Sequence, residues 1–368
     1  MPVRVGIAGA GSVAFGNAVF LEQAGHRVML WSPSGKRTAE LTGGAALVAD
    51  GAIEGKFHPA VAHDAEELAA WADVILLALP AYGHKYAMDA LAPHLRDDHT
   101  VLISSHASFG ALYLSQLLSS HGASSSCGAL PPIVAWGTTA TTGRQDATRV
   151  MVNTIRAKID IATIPESQSA RGSSVSRLLF GDRFVERDGL LAIALSNLNP
   201  QNHMGIALGN MTRMERGEVW SQGQNVTPKV GSLLEALDQE RLAIAASLDL
   251  SVRTIFEHFH LSFHVPIGSI SDMNQDMHQA GRGGTGPSSA DSRYVTEDVP
   301  YGLLPTVLLG RKTGRTATLH QAGIDIFSAM YGVDFEREND LLAALDLQAI
   351  PLAQLKKLAK QGFPLAGG

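Results

Sequence analysis

The sequence predicts an α/β chain in which a doubly wound parallel sheet is followed by an all-helical domain. In the first half, short apolar runs alternate with helix-length segments, which is the pattern of a parallel sheet covered by helices on both faces. Beyond about Gly189 the pattern changes to long segments with apolar residues at helical spacing, such as residues 231–248. We therefore expect two domains, one at residues 1–187 and one at residues 188–368.

The strands of the first domain are predicted from apolar runs that end at or just before a glycine, serine or proline. The first run leads into a helix over residues 12–24, and residues 149–164 supply two further strands. The apolar runs are residues 3–9, 26–31, 73–79 and 100–104.

In the second domain, residues 265–292 are rich in Gly, Ser, Asp and Asn, which predicts an irregular loop that is either a lid or an exposed insertion.

The composition excludes several classes of protein. The chain of 368 residues carries 29 basic and 35 acidic residues, a net charge of −6, so it lacks the positive charge that nucleic-acid binding requires. With 45% hydrophobic and 17% charged residues it can bury sizeable cores. Its one cysteine, Cys127, excludes an internal disulfide framework and suits a reducing compartment. We expect a cytoplasmic protein with no membrane span and no signal segment.

Three histidines close together in the sequence raise the question of a metal site. His258, His260 and His264 are interleaved with Phe and Leu, and neither an H-E-x-x-H pattern nor a neighbouring Cys accompanies them. This pattern predicts a helix that packs its aromatic side chains and carries the histidines at its edge. We expect no metal ion.

A glycine-rich turn lies between the first predicted strand and the first predicted helix. Gly9, Gly11 and Ala14 form the pattern G-x-G-x-x-A, with Ser12 inside it. The first glycine permits the turn, the second admits a pyrophosphate to backbone amides, and the small third residue lets helix and strand pack closely. The position of this motif predicts a Rossmann-type domain that binds a dinucleotide.

The end of the second predicted strand bears on the choice of dinucleotide, because an acidic residue there selects NAD(H). Ser32, Lys36 and Arg37 follow this strand, and residues 31–37 contain no acid. A hydroxyl and two cations favour a 2′-phosphate, which predicts NADP(H) as the preferred cofactor, with NAD(H) as the alternative. A solvated helix start would carry the same cations. Pro80 is predicted either to meet the nicotinamide ribose or simply to end its strand.

Two distant segments carry polar side chains suited to catalysis. Residues 196–203 (SNLNPQNH) concentrate Asn and His at a predicted break, and Arg293, Glu297 and Asp298 lie just before a helical segment. A histidine can relay protons, an acid can orient that histidine, and an arginine can clamp a carboxylate. These are the groups that the reduction of a carbonyl or an imine requires.

Together these motifs resemble the opine dehydrogenase family, the octopine and nopaline dehydrogenase type. The resemblance spans nearly the whole chain in the same order. It implies a Rossmann domain followed by a helical substrate domain, and an NAD(P)H-dependent reductive condensation of an amino acid or another amine with a 2-oxo acid. The motifs are the G-x-G-x-x-A turn, N-x-N-P-x-x-H at residues 197–203, the helix at residues 238–250, and R-Y-x-T-E-D-V-P-Y-G at residues 293–302.

The resemblance also implies roles for individual residues. His203 and Asp298 correspond to the catalytic dyad, and Arg293 corresponds to the clamp for the substrate carboxylate. Asn199 and Asn202, which belong to the same motif as the histidine, are expected to bind substrate. Met204 stands where relatives have a proline, a departure that concerns the local geometry and the amine specificity rather than the proton chemistry.

Two other functions stay open at this point. A 2-oxo acid reductase of the ketopantoate reductase kind shares the N-terminal fold, and Lys229 is the candidate for its catalytic lysine. A dinucleotide-binding sensor without catalysis would also fit, since a fold does not prove a function.

The apolar helical half, including the helices after Phe335, suggests self-association as a homodimer.

Overall fold

The computed structural model describes residues 1–120 and 130–365, so Cys127 lies outside the described residues. The chain divides into two compact units: the first comprises Met1–Ile193 and the segment that begins at Ala353, and the second comprises Ala194–Leu352. The sequence-based boundary at residues 187 and 188 assigns the C-terminal segment to the second domain. The structure places this segment with the first unit instead.

The C-terminal segment joins the first unit through specific contacts. The backbone N–H of Phe363 donates a hydrogen bond to Ser115 Oγ at 2.8 Å, and Lys360 forms an ion pair with Asp188. Leu355 and Leu358 are buried, so the apolar face of the last helix is already covered within its own chain.

The described residues of the first unit form two sheets. The main sheet has eight strands in the order β12-β11-β8-β7-β6-β1-β2-β5, and its neighbouring strands are parallel except for the antiparallel pair of β8 and β11. The smaller sheet has four strands in the order β4-β3-β10-β9. The strands are β1 Arg4–Ala8, β2 Arg27–Trp31, β3 Leu47–Gly51, β4 Gly55–Phe57, β5 Ala60–Val61, β6 Val74–Leu77, β7 Thr100–Ile103, β8 Ile133–Trp136, β9 Thr141–Asp146, β10 Arg149–Ile155, β11 Ile159–Ile164 and β12 Phe184–Glu186.

The predicted fold class is confirmed. All four apolar runs form neighbouring or near-neighbouring parallel strands of the main sheet, and residues 149–164 form two strands that belong to different sheets. The smaller sheet was not predicted. It packs against the helix Ser12–Gln23, where Thr141 Oγ1 donates a hydrogen bond to Asn17 Oδ1 at 3.1 Å.

Helices cover the main sheet and make up the second unit. In the first unit they are α1 Ser12–Gln23, α2 Ala39–Thr42, α3 Ala65–Trp71, α4 His84–Leu91, α5 Gly110–Ser120, α6 Ser169–Phe180, α7 Gly189–Ala194 and, at the end of the chain, α16 Leu352–Gln361. In the second unit they are α8 Asn199–Glu215, α9 Pro228–Ser247, α10 Ile255–Phe263, α11 Ile270–Gln279, α12 Arg293–Thr296, α13 Leu304–Thr313, α14 Thr318–Tyr331 and α15 Asp340–Leu345, with a π-helix at Val299–Leu303. No helix of the described residues is both long enough and apolar enough to span a membrane.

Two local predictions in the second unit were wrong. Residues 199–203 do not lie in a connection, because α8 begins at Asn199 with Pro200 in its first turn, a position that proline favours. Residues 265–292 are not wholly irregular, because α11 lies within them. Ser269 caps this helix by accepting a hydrogen bond from Asp272 N–H at 3.1 Å, and the buried side chains of α11 then pack into the unit.

A buried ion pair ties the second unit together. Arg241 Nη2 lies 2.7 Å from Asp238 Oδ1, and both side chains are almost completely buried. Asp238 also accepts hydrogen bonds from Gln201 Nε2 at 3.0 Å and from the backbone N–H of Ile255 at 2.9 Å. Arg241 donates to the backbone carbonyl of Leu195. Because every partner is hydrogen-bonded, the pair joins the starts of α8 and α10 to α9 without leaving an unpaired buried charge.

Three histidines of the first unit are buried, His84, His99 and His106, and two of them have strongly lowered pKa values. Burial lowers the pKa of His84 to about 4 and the pKa of His106 to about 3. His84 Nε2 donates a hydrogen bond to the carbonyl of Leu79 at 3.0 Å. Both histidines are therefore neutral in the folded chain at pH values where an exposed histidine, whose ordinary pKa is 6.5, begins to take up a proton.

These pKa shifts predict a loss of stability in acid. Between about pH 6.5 and pH 4 the unfolded chain binds protons that the folded chain does not, so the free energy of unfolding falls as the pH falls through this window. In His106→Leu we expect the slope of that free energy against pH to decrease by about 1.4 kcal/mol per pH unit between pH 4 and 6. Denaturant unfolding at a series of pH values measures the slope. The control His264→Asn, at an exposed histidine whose left-handed backbone Asn tolerates, should keep the wild-type slope, and a wild-type slope in His106→Leu would contradict the assignment.

Candidate active site

The glycine-rich turn connects β1 to α1 at the carboxyl end of this interior strand of the main sheet. Gly9 has φ +135°, and a Cβ at this position would overlap the carbonyl oxygen of Ala78, so only glycine fits. Its N–H donates a hydrogen bond to the carbonyl of Trp31 at 2.8 Å. Gly11 is the N-cap of α1, and Ala14 is buried behind it. The turn thus has the geometry that suits a dinucleotide pyrophosphate at a helix N-terminus.

The residues after β2 lie close to this turn. Lys36 and Arg37 are exposed, and Ser32 is half-buried at the start of the connection. A Cβ added to Gly11 would lie 3.5 Å from Arg37 Nη1, so the guanidinium group of Arg37 reaches back to the glycine turn. A cation at this place, with no acid in residues 31–37, fits a phosphorylated adenosine ribose.

The carboxyl ends of β6 and β7 carry further polar groups. Pro80 follows β6 and precedes a short 3-10 turn, Ala81–Gly83. Ser104 Oγ and both ring nitrogens of His106 are buried and have no hydrogen-bond partner among the described residues. In a parallel sheet this edge is the one at which ligands bind.

The second unit brings His203 and Asp298 together. His203 lies in the second turn of α8, and Asp298 is the N-cap of the π-helix Val299–Leu303. The distance between His203 Nδ1 and Asp298 Oδ2 is 2.7 Å, and the two side chains are 11% and 12% exposed. The ring donates its Nδ1–H to the carboxylate, so the neutral tautomer leaves Nε2 as a proton acceptor.

Tyr294 covers one face of this histidine, a contact that the sequence patterns did not predict. The ring centroids of His203 and Tyr294 are 3.6 Å apart, and the rings are 9° from parallel. The Tyr294 hydroxyl donates a hydrogen bond to Gln222 Oε1 at 2.5 Å. Burial raises the pKa of Tyr294 to about 12, so its hydroxyl keeps the proton. The only signal in the sequence was the position of this aromatic residue beside Arg293.

The residues predicted to bind substrate belong to the same two segments. Arg293, the first residue of α12, is exposed. The backbone N–H of Asn199 donates to Asn197 Oδ1 at 3.1 Å. Asn202 is buried, and its Oδ1 has no partner among the described residues. Both asparagines therefore lie on α8 with His203, and Arg293 lies on α12, just before the π-helix that Asp298 caps.

The other histidine cluster has ordinary structural contacts. His260 Nδ1 donates a hydrogen bond to the carbonyl of Val265 at 2.8 Å, and His264 ends α10 in a left-handed conformation. His258 packs against Phe259 and Phe263 with edge-to-face geometry. Within the described ranges, no group of three or more His, Cys, Asp or Glu side chains is arranged to hold a metal ion.

Two separate stretches of the chain match known families. Residues 186–331 match the family described as NAD/NADP octopine/nopaline dehydrogenase, alpha-helical domain. Residues 5–105 match the ketopantoate reductase PanE/ApbA family. An opine dehydrogenase from Arthrobacter sp. (strain 1C) is 29% identical over 358 residues, which cover 95% of this chain and 97% of that protein.

Solved structures share the fold at lower identity. Octopine dehydrogenase with NADH and L-arginine is 17% identical with a TM-score of 0.77, covering 97% of this chain and 98% of that chain. The same enzyme with NADH and pyruvate gives a TM-score of 0.74 at 17% identity, covering 96% and 97%. Yersinopine dehydrogenase with NADP⁺ bound is 14% identical with a TM-score of 0.71, covering 94% and 98%.

This chain combines a dinucleotide-binding α/β unit with a helical unit, and this is the organisation of an NAD(P)-dependent oxidoreductase. Within that class, the helical-domain match and the full-length relative confirm the resemblance to the opine dehydrogenase family.

Proposed function

We propose that this chain is an NADPH-preferring opine dehydrogenase, which condenses the amine of an amino acid with a pyruvate-like 2-oxo acid and reduces the resulting imine. The observation that carries the proposal is the 2.7 Å hydrogen bond between His203 and Asp298, in the unit that matches the octopine and nopaline dehydrogenase family. The structures of octopine dehydrogenase with L-arginine and with pyruvate support these two substrate classes.

The residues of the first unit would hold the dinucleotide. Gly9, Gly11 and Ser12 present the N-terminus of α1 to the pyrophosphate, and Ser32, Lys36 and Arg37 face the adenosine ribose, with Pro80 at the edge expected for the nicotinamide ribose. NADPH bound there would supply the hydride for the imine carbon.

The protons of the condensation are assigned to His203. The amine adds to the carbonyl of the oxo acid, and the carbinolamine loses water to give an imine, whose reduction produces a secondary amine. Addition moves one proton from the attacking nitrogen to the carbonyl oxygen, and dehydration moves a second proton from the nitrogen to the hydroxyl that leaves as water. His203 Nε2 accepts each proton from the nitrogen and delivers it to the oxygen, while Asp298 holds the Nδ1–H tautomer and stabilises the imidazolium. The proton that joins the nitrogen on reduction comes from solvent.

The substrate carboxylate is assigned to Arg293, since a guanidinium binds a carboxylate through two parallel hydrogen bonds. Asn199 lies about one turn before His203 on the same face of α8, and Asn202 directly precedes His203 in the chain. Asn202 Oδ1, which has no partner among the described residues, suits an amine or ammonium donor on the substrate.

The remaining expectations have weaker support. The single cysteine of the sequence favours the cytoplasm. A homodimer stays a prediction: the apolar side chains of α16 are buried in the chain itself, and Ile326 and Met330, four residues apart on α14, are exposed. A ketopantoate-type reductase has less support, because the corresponding match ends at residue 105 and Lys229 is exposed at the start of α9.

The test of the function is a matrix of amines and 2-oxo acids assayed with NADPH and with NADH. We expect NADPH oxidation that requires both an amino acid and a 2-oxo acid, with a secondary amine as the product identified by mass spectrometry. Oxidation with the oxo acid alone would favour the reductase. NADPH binding without turnover across the panel would favour the sensor.

Loss of the imidazole should remove catalysis without removing the cofactor. In His203→Ala we expect kcat to fall by about 10²- to 10⁴-fold, the range that general acid–base catalysis supplies, while the Kd for NADPH from fluorescence quenching stays unchanged. Asp298→Asn should also lower kcat, because the amide cannot stabilise an imidazolium as a carboxylate does. His258→Ala on α10 is the matched control, expected to keep full activity. Full activity in either dyad variant would refute the assignment of its residue.

Loss of the Arg37 cation should change the cofactor preference. In Arg37→Gln we expect the KM for NADPH to rise by about tenfold or more, because a hydrogen bond to a charged phosphate is lost, while the KM for NADH is unchanged. Initial rates with the two cofactors measure the ratio. Arg144→Gln, which removes an exposed arginine from β9, should leave both constants as they are. Equal changes for both cofactors would argue against a 2′-phosphate contact.

A further inference from the structure

We propose that Tyr294 is a positioning residue that fixes the plane of the His203 imidazole by stacking on it and thereby directs its free nitrogen toward the substrate. The inference rests on the proposed function, because it assigns Tyr294 a part in the proton transfer of that reaction. It goes beyond the dyad itself, since the hydrogen bond to Asp298 does not fully determine the orientation of the imidazole ring and leaves it one rotational freedom.

That freedom is a twist of the imidazole about its Cβ–Cγ bond, because the ring is also held covalently at Cγ. A single hydrogen bond fixes a direction and tolerates tilting of the ring around it. The stack with Tyr294, at a centroid distance of 3.6 Å and an angle of 9°, removes this freedom because any tilt would drive the two rings into each other. The two contacts together determine where Nε2 points.

The stack also has a geometry that suits a charged ring. Pairs of neutral aromatic rings prefer offset or edge-to-face arrangements with centroids about 4.5–7 Å apart. A near-parallel contact at 3.6 Å is closer than that range, whereas a cation is attracted to the face of a tyrosine ring. The stack is therefore also compatible with the imidazolium that the dyad forms after accepting a proton.

Tyr294 is itself held from the far side. Its hydroxyl donates to Gln222 Oε1 at 2.5 Å, and the backbone N–H of Gln222 donates to the carbonyl of Gly284 at 3.1 Å. The next N–H, of Gly223, donates to the carbonyl of Gly283 at 2.8 Å. The segment around residues 283–287, predicted from sequence to be part of a lid or an insertion, is thus bonded to the segment that carries Gln222.

The two contacts also limit the route of the protons. Nδ1 is occupied by Asp298, and one face of the imidazole is covered by Tyr294. Proton exchange with substrate must then pass through Nε2, in the direction that the stack sets. A small change in that direction is costly, because proton transfer requires hydrogen-bond distance to the reacting atom.

The experiment compares Tyr294→Phe, which keeps the ring, with Tyr294→Leu, which removes it. We expect Tyr294→Leu to lower kcat by about 10- to 100-fold, as misplacement of a catalytic group does, with the KM for NADPH unchanged. Tyr294→Phe should restore kcat to within about threefold of wild type, because the stack rather than the hydroxyl acts on His203. Tyr331→Leu, a change of the same kind at a tyrosine that bonds to Ala290, should keep the wild-type kcat.

A second readout needs no turnover. In NMR spectra of chains labelled at histidine, the Tyr294 ring current should shift the ring-proton signals of His203, assigned by their absence in His203→Gln. The shift should persist in Tyr294→Phe and disappear in Tyr294→Leu. If the leucine variant does not fold, Gln222→Ala removes the outer support of Tyr294, and we expect it to broaden or move the same signals and to lower kcat several-fold.

The outcomes separate the two proposals. A wild-type kcat in Tyr294→Leu with the His203 shift lost would overturn the positioning role. Unchanged His203 signals in that variant would overturn the stack. A chain that shows the shift but turns over no pair of amine and 2-oxo acid would keep the stacked geometry and lose the proposed opine dehydrogenase function.

Discussion

The hydrogen bond between His203 and Asp298 is the constraint on which the proposed chemistry of the helical unit depends, because it joins two segments that are 95 residues apart in the chain. This hydrogen bond alone does not hold the two segments together. The start of α8 lies directly against the π-helix that Asp298 begins, since a Cβ on Gly302 would overlap the ring of Pro200. Only glycine allows this approach, and the approach brings an imidazole from one element within reach of a carboxylate from the other.

A second layer of contacts fixes α8 from its other side. Gln201, two residues before His203, donates to Asp238 Oδ1, and the same carboxylate binds Arg241. A buried ion pair contributes little net stability when its desolvation is counted, but breaking one partner is costly. The pair instead fixes positions, because it links α8, α9 and the start of α10 through hydrogen bonds with defined directions. His203 therefore cannot shift along the axis of α8 without breaking these bonds.

The sequence predicted the fold class and the adjacent strands β7, β6, β1 and β2, because those strands are continuous apolar runs, but it missed β8, which is equally apolar and buried. It did not predict β3 or β9, whose residues are partly exposed and polar, nor α11, whose flanks are rich in glycine and whose exposed face is polar. The pairing of His203 with Asp298 was predicted through a resemblance, and their roles stay predictions. The stack of Tyr294 on His203 could not be predicted from the sequence, because a ring contact between distant segments leaves no local periodicity.

The choice of a histidine rather than a lysine is informative about the reaction. Reduction of a 2-oxo acid to a hydroxy acid needs one proton delivered to the developing alkoxide, and a cationic lysine can supply it. Condensation with an amine first removes a proton and then returns one, so it needs a group that accepts and donates near neutral pH, which is the property of imidazole. A carboxylate behind that imidazole favours both protonation states in turn: it fixes the neutral tautomer for acceptance and stabilises the cation for donation. The His203–Asp298 pair therefore suits amine condensation, but it would also serve carbonyl reduction, and what favours the condensation is the match of residues 186–331 to the octopine and nopaline dehydrogenase family.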